Sequence, residues 1–280
     1  MNVSIVVCTN GASPRLATTV AIAAGQAPGA EMIVVWSGGG EAPSLAARIE
    51  AEPMPGIAAA RQRGLTAATG DVVVFVDDDV TPEPGWFDAL VAPLDDEAVG
   101  SVGGTIVPEW PGGAAPRWLP ARLGVAYGER AAGGGHYPFG ANMAIRREPA
   151  LAAGGFRSAL GHRAGRPGLH EETELCRQLE AAGLRSVDAA GAVVRHHVRA
   201  DQVRLGWLLR RGWAEGRSDR TRDELRGRTD VWLRLAKTAA LVLALVPSLV
   251  RPKAAVYVVV RIVVNVAYVV ARRQTRSVSA

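Results

Sequence analysis

The stretch Val72–Asp79, reading VVVFVDDD, constrains this chain more than any other. Five consecutive β-branched or aromatic residues are apolar on both sides of the backbone, as in a strand covered on both faces. The run then ends in three acids. In an open parallel sheet, ligands bind beyond the carboxyl ends of the strands. Three adjacent carboxylates placed there repel one another and raise one another's pKa. A divalent cation removes that penalty, and Mg2+ or Mn2+ favours carboxylate oxygens together with phosphate oxygens. On an extended strand Asp77 and Asp79 would share one face while Asp78 takes the other. The plainer alternative is a solvated acidic turn before Thr81-Pro82.

The flanking sequence alternates between two periodicities. Val3–Cys8 and Met32–Trp36 read as strands, and Leu16–Ala24 and Ile57–Ala68 as helices; Leu45–Glu50 predicts a further short helix. Such alternation implies an α/β fold built on a mainly parallel sheet. Beyond residue 100 the spacing predicts strands over Val99–Val107, Phe139–Arg146 and Val193–Val198. It also predicts helices over Glu171–Ala182 and residues 203–228, and a long Pro-, Gly- and Trp-rich loop over residues 108–137. The glycines Gly38–Gly40 lack the GxGxxG spacing and do not follow the first strand, so they are not a dinucleotide site.

Charge is distributed unevenly. The first hundred residues carry 4 Arg/Lys against 13 Asp/Glu, whereas the last eighty carry 16 against 6. A basic C-terminal part suits an anionic partner, either lipid or nucleic acid, and no nucleic-acid motif supports the second. Thr238–Val250 and Ala254–Val270 are apolar, separated by Arg251-Pro252-Lys253, and the second contains Arg261 and Asn265. A spanning helix needs roughly 20 predominantly apolar residues. A tilted pair, a re-entrant hairpin, an interfacial pair and a pair of packed core helices all remain open. Arg272, Arg273 and Arg276 are placed to face anionic headgroups. Cys8 and Cys176 have no metal-ligand spacing, and the opening MNVSIVVCTN reads as a strand, not a signal peptide.

The run from Gly56 to Trp86, GIAAARQRGLTAATGDVVVFVDDDVTPEPGW, resembles family 2 glycosyltransferases of the GT-A fold. Arg61, Ala68, Gly70, Asp71, Asp77, Asp79, Pro82 and Trp86 occupy the places of that family's pattern. The resemblance implies a Rossmann-like, mostly parallel mixed sheet flanked by helices, and inverting transfer of a sugar from a nucleoside-diphosphate donor. It also implies that Asp77 and Asp79 bind Mn2+ or Mg2+ on the donor diphosphate, that Asp78 holds the ribose or shares the metal, and that Arg61 lies near the nucleotide. Thr9 would flank the nucleotide, and Trp36, standing where many members have Asp, would stack on the base or pack in the core.

A later stretch, Gly168-Leu169-His170-Glu171-Glu172-Thr173-Glu174-Leu175, is similar to the family's acidic motif, with His170 in the usual Gly place and Glu172 in the usual Asp place. By that resemblance Glu172 is the general base. Read without it, Glu171–Glu174 is an acidic helix N-terminus. Pro138–Ala144 resembles the strand before the base, with Gly140 admitting a ligand and Asn142 bonding the donor sugar. His196 or His197 would complete the metal side, and His197 is taken as the ligand.

The chain is thus expected to divide into a catalytic domain over residues 1–217 and a basic, apolar membrane-associating segment over 218–280. The expected partners are a nucleotide-sugar, a glycan or lipid-linked acceptor and a membrane surface, at the cytoplasmic face of the cell membrane, with no nucleic acid. A scaffold with a non-catalytic transferase fold and a sugar nucleotidyltransferase are the competing readings.

Overall fold

Strict alternation along buried strands splits the core in two. In the computed structural model, which describes residues 1–131, 133–134, 137–158, 160 and 169–271, strand β1 (Val3–Thr9) sends Ile5 and Val7 into one cluster and Val6 and Cys8 into the other. The same division separates Val34 from Ile33 and Val35 on β2 (Glu31–Trp36), and Val74 and Val76 from Val73 and Phe75 on β4 (Val72–Asp77). An unbroken apolar run therefore serves both faces of one sheet, as expected of strands with helices on either side.

Among the described residues the sheet has eight strands in the order β3-β2-β1-β4-β7-β6-β8-β5. The remaining strands are β3 (Arg48–Ala51), β5 (Val80–Pro82), β6 (Val99–Glu109), β7 (Asn142–Arg146) and β8 (Arg185–His197). β1 to β4 run parallel; β7 lies antiparallel between β4 and β6, β8 is parallel to β6, and β5 is antiparallel to β8. The helices are α1 (Leu16–Gln26), α2 (Ile57–Ala67), α3 (Trp86–Val91), α4 (Arg147–Ala152), α5 (Glu171–Ala181), α6 (Leu205–Leu225), α7 (Val231–Ser248) and α8 (Pro252–Val270).

Three expectations change. The predicted helix over Leu45–Glu50 is instead the edge strand β3, whose Arg48, Ile49, Glu50 and Ala51 pair with Ile33–Trp36; pairing to an open sheet edge overrides local helix propensity. The strand expected over Val193–Val198 is the end of the much longer β8. Residues 108–137 contain a 3-10 segment, Ala121–Tyr127.

The chain forms two compact units. The first comprises Met1–Ala114, Tyr127–Ser158 and Glu171–Arg199; the second comprises Ala115–Ala126, Ala159–His170 and Ala200–Ala280. Position 217 falls inside the continuous α6. The sheet belongs to the first unit and α6, α7 and α8 to the second. Gly168 of the acidic motif and Arg272, Arg273 and Arg276 lie outside the described residues.

Candidate active site

The carboxyl end of β4 places Asp77 on the strand and turns the chain at Asp78 and Asp79, before β5 begins at Val80. Strand alternation therefore stops at Asp77, and the three acids are arranged by their partners. Asp77 Oδ1 lies 3.0 Å from Arg61 Nη2. Asp78 accepts a hydrogen bond from the Thr9 hydroxyl through Oδ2, and its carbonyl accepts one from Ser13 Oγ at 2.8 Å. Asp79 Oδ1 lies 3.5 Å from His196 Nε2.

These environments separate the acids electrostatically. Burial raises the Asp78 carboxyl to about 7, against the Thr9 hydrogen bond that lowers it. Burial also holds Asp77 above its ordinary value despite the pull of Arg61. At Asp79 burial opposes ionisation, but His196 outweighs it and the carboxyl falls below its ordinary value. The reverse holds at His196, where burial disfavours the cation and Asp79 raises the imidazole pKa. The ring is oriented from behind: Nδ1 stands 2.8 Å from the Tyr127 carbonyl. An N–H at Nδ1 donating there leaves Nε2 facing Asp79. Gly128, at φ +83°, makes room, since a Cβ on it would lie 3.1 Å from His196 Nδ1.

Arg61 is the hub of the site. Its side chain rises from α2 and is almost fully buried, at 4% exposure. Nη2 holds Asp77, Nη1 holds Glu171, and Glu172 Oε2 lies 3.8 Å from Nη1. Burial would lower the guanidinium pKa, but three surrounding carboxylates raise it. Glu171 is driven well above the ordinary carboxylate range by burial and by Glu172, with Arg61 opposing. Of the two, Glu172 keeps the more solvent-accessible side chain, 17% against 5%. The acids at the end of β4 and the acidic start of α5, about a hundred residues apart, thus meet on one guanidinium.

Residues 4–151 match the family model described as glycosyl transferase family 2. The chain belongs to glycosyl transferase family 2. It is 31% identical over 179 residues to the glucosyl-dolichyl phosphate glucuronosyltransferase of Haloferax volcanii, covering 61% of this chain and 56% of that one. It is 32% identical over 167 residues to the pre-mycofactocin glycosyltransferase of Mycobacterium tuberculosis, covering 58% of this chain and 34% of the relative. The chain thus spans about half the length of the first of these relatives and about a third of the second. A solved structure of glucosyl-3-phosphoglycerate synthase from Mycobacterium tuberculosis, in complex with Mn2+, uridine-diphosphate-glucose and phosphoglyceric acid, shares the fold at a TM-score of 0.52 and 22% identity, covering 82% of this chain and 81% of that chain.

Within this family 2 fold, two placements expected from the sequence need correction. His197, taken as the metal ligand, turns its Nδ1 to Glu109 at 3.4 Å, while His196 faces Asp79; neighbours on a strand point to opposite faces. Asn142, expected at the donor sugar, is fully buried. Its Nδ2 donates to the carbonyls of Thr105 and Ala192 and its Oδ1 accepts from Trp86 Nε1, so its amide is consumed in tying β6, β7, β8 and α3 together. Gly140 also serves another purpose than admitting a ligand: a Cβ there would stand 2.0 Å from Arg61 Cζ. The glycine gives the guanidinium its space.

Trp36 lies at the opposite side of β1 from the β4 acids. Cβ atoms on Gly11 and Gly38 would come within 2.5 Å and 2.7 Å of its ring, so two glycines bracket the indole. The ring lines a cleft of about 360 Å3 together with Ser13, Pro14, Leu16 and Pro43. Sequence reasoning did not identify Glu171 as the partner of Arg61 or Tyr127 as the support of His196. The first left a trace in the acidic pair; the second, a backbone carbonyl, left none.

Proposed function

We propose that this family 2 member is an inverting glycosyltransferase that moves a sugar from a nucleoside-diphosphate donor to an acceptor hydroxyl of an envelope or lipid-linked glycan, at the cytoplasmic face of a membrane. One observation carries the reading. Arg61 joins the acids that would hold the donor to the acidic pair that would activate the acceptor. A solvated acidic turn would not need a buried guanidinium beneath it.

Thr9, Trp36 and Asp78 line the donor side in this reading. Trp36, which lines the cleft, would stack on the base, and Asp78, bonded by Thr9, would bond a ribose hydroxyl. Among the described residues no group of three or more His, Cys, Asp or Glu encloses a cation. Asp79 and His196, with Asp77 close enough to influence both, nonetheless offer carboxylate oxygens and one imidazole nitrogen. That set suits Mg2+ or Mn2+ whose remaining ligands come from a diphosphate and water. When bound, such a cation offsets charge on the departing diphosphate.

Glu172 is the base. Its carboxylate takes the acceptor proton as the acceptor oxygen bonds to the anomeric carbon and the bond from that carbon to the diphosphate breaks. Configuration inverts because attack and departure occupy opposite faces. Arg61 stands 3.8 Å from Glu172 and holds Glu171 in place behind it. The dolichyl phosphate substrate class in the name of the Haloferax volcanii relative supports a lipid-linked acceptor, as do the two helices long and apolar enough to cross a membrane by length and composition.

The test is a donor panel with Mg2+ or Mn2+, with membranes supplied as acceptor and nucleoside-diphosphate release as the readout. Release is expected for one donor class, abolished by chelation and by Glu172→Gln. Silence across the panel in folded protein would overturn the enzyme reading, and pyrophosphate as the product would point to nucleotidyl transfer.

A further inference from the structure

The second unit raises its own question, which length and composition do not answer. Helices α7 and α8 have 18 and 19 residues, or about 27 Å and 29 Å of rise, each near the thickness of a bilayer's hydrocarbon core. Their packing differs sharply. α8 is packed against both α6 and α7. On the α6 side the contact is close: a Cβ on Gly216 would stand 2.0 Å from the Val264 carbonyl oxygen, and one on Gly212 would lie 3.3 Å from Val260. α7 keeps nearly all of its apolar surface in the open, with Trp232 83%, Leu243 78% and Val246 73% exposed.

A polar seam runs the length of α8. Arg122 lies over the Tyr257 ring, Arg261 Nη1 is 2.9 Å from Glu215, Arg234 reaches Asn265 Oδ1 at 3.2 Å, and the Tyr268 hydroxyl donates to Asp223 at 3.0 Å. Arg261 is the central residue of α8. Carrying α8 across a bilayer would put that ion pair at the midplane and draw α6 in beside it. α6 bears Arg210, Arg211, Glu215, Arg217, Asp219 and Arg220 among its charges, which hydrocarbon does not tolerate. A pair that spans is therefore incompatible with the packing of α8 on α6.

Basic side chains also stand on α7 and in the turn that follows it. Lys237, Arg251 and Lys253 are exposed, and no acid pairs with them among the described residues. They lie within and beyond one end of an apolar surface, the arrangement that suits a negatively charged leaflet.

We propose that α7 lies flat in the headgroup region of an anionic bilayer, with α8 as the layer behind it and α6 facing water, so that the C-terminal helices rest on the membrane and do not cross it. This rests on the membrane reading given above and goes further in assigning the mode and the face.

The experiment adds the 280-residue chain to preformed vesicles of phosphatidylcholine, with or without about half phosphatidylglycerol. Binding is read by co-sedimentation, and topology by labelling with a membrane-impermeant maleimide. Cys8 and Cys176 are buried, so a cysteine introduced by Thr229→Cys or Arg251→Cys is the reactive one. Sedimentation with the anionic vesicles and equal labelling at both positions are expected. Replacing Lys237, Arg251 and Lys253 together by Gln should weaken binding on the order of 100-fold. Leu243→Glu should abolish sedimentation without changing donor turnover in detergent. Protection of position 251 while 229 labels would mean a spanning hairpin and overturn the proposal while leaving the membrane reading intact. No sedimentation, with a dimer by light scattering, would mean that a second copy covers α7, and both would fall. Donor release in detergent reports on the transferase reading separately.

Discussion

The two units break the same rule in opposite directions. The sheet unit buries charge: Arg61, Glu171 and Glu174 are each less than a tenth exposed. The helical unit exposes apolar surface: along α7 most of the large aliphatic side chains and Trp232 face outward. Neither is favourable by itself. Buried charges persist only when paired, and an apolar face of this size in water marks a partner. In the first unit part of the compensation is already inside the fold, because one guanidinium lies among three carboxylates. In the second it is left to something outside. The sheet unit thus holds its charges among themselves, whereas the helical unit leaves an apolar face uncovered.

Several measurements would break or sharpen that contrast. The largest expected effect is on chemistry: Glu172→Gln should lower turnover by roughly 10²- to 10⁴-fold. It should leave stability unchanged or slightly higher, since it removes a negative charge beside buried Glu171. A large loss of stability would show that Glu172 is structural. Next comes Arg61→Ala, which strands Asp77, Glu171 and Glu172 and should cost about 3–5 kcal/mol in denaturant unfolding; a cost near zero would mean that the acids do not depend on it. Gly140→Ala forces a Cβ into Arg61 and should cost about 1–3 kcal/mol.

A smaller effect concerns pH. Asp79 has a depressed pKa, so its contribution is present above the unfolded value near 4 and lost as pH falls through the folded one. His196 has a raised pKa, so its contribution is full below about 6.5 and lost as pH rises through the folded value. The pair should stabilise most between roughly pH 4 and 6.5, and His196→Ala should flatten the stability profile there; an unchanged profile would dissociate the two groups. Smallest of all, Leu243→Ser on α7 should alter stability in detergent-free solution by no more than about 0.5 kcal/mol, as expected of a side chain that touches little. A larger loss would mean that α7 is packed in solution after all.

The strand leading to the three acids was legible because burial on both faces writes itself as an unbroken apolar run. The family pattern singled out Arg61 and Glu172, which lie 3.8 Å apart. What they do to each other was not legible, because the pairing closes over about a hundred residues and no local pattern encodes it. The choice between His196 and His197 depends on which face of β8 each occupies, and that register shifts at an irregularity between Gly104 and Thr105. Asn142 read as a ligand group because a polar residue on an apolar strand suggests function; its three bonds go to Trp86, Thr105 and Ala192, which only the assembled sheet brings near. β3 was invisible for the complementary reason: its residues carry no strand signal, and the vacant edge of β2 supplies the conformation.

The sheet closes at both margins on very short strands, four residues in β3 and three in β5. β3 presents Arg48 and Glu50, and β5 ends in Pro82, which has no amide hydrogen to donate. Such margins offer a neighbouring molecule little template for intermolecular strand pairing. Copies crowded together can therefore stay separate at their sheets, without fibril-like stacking.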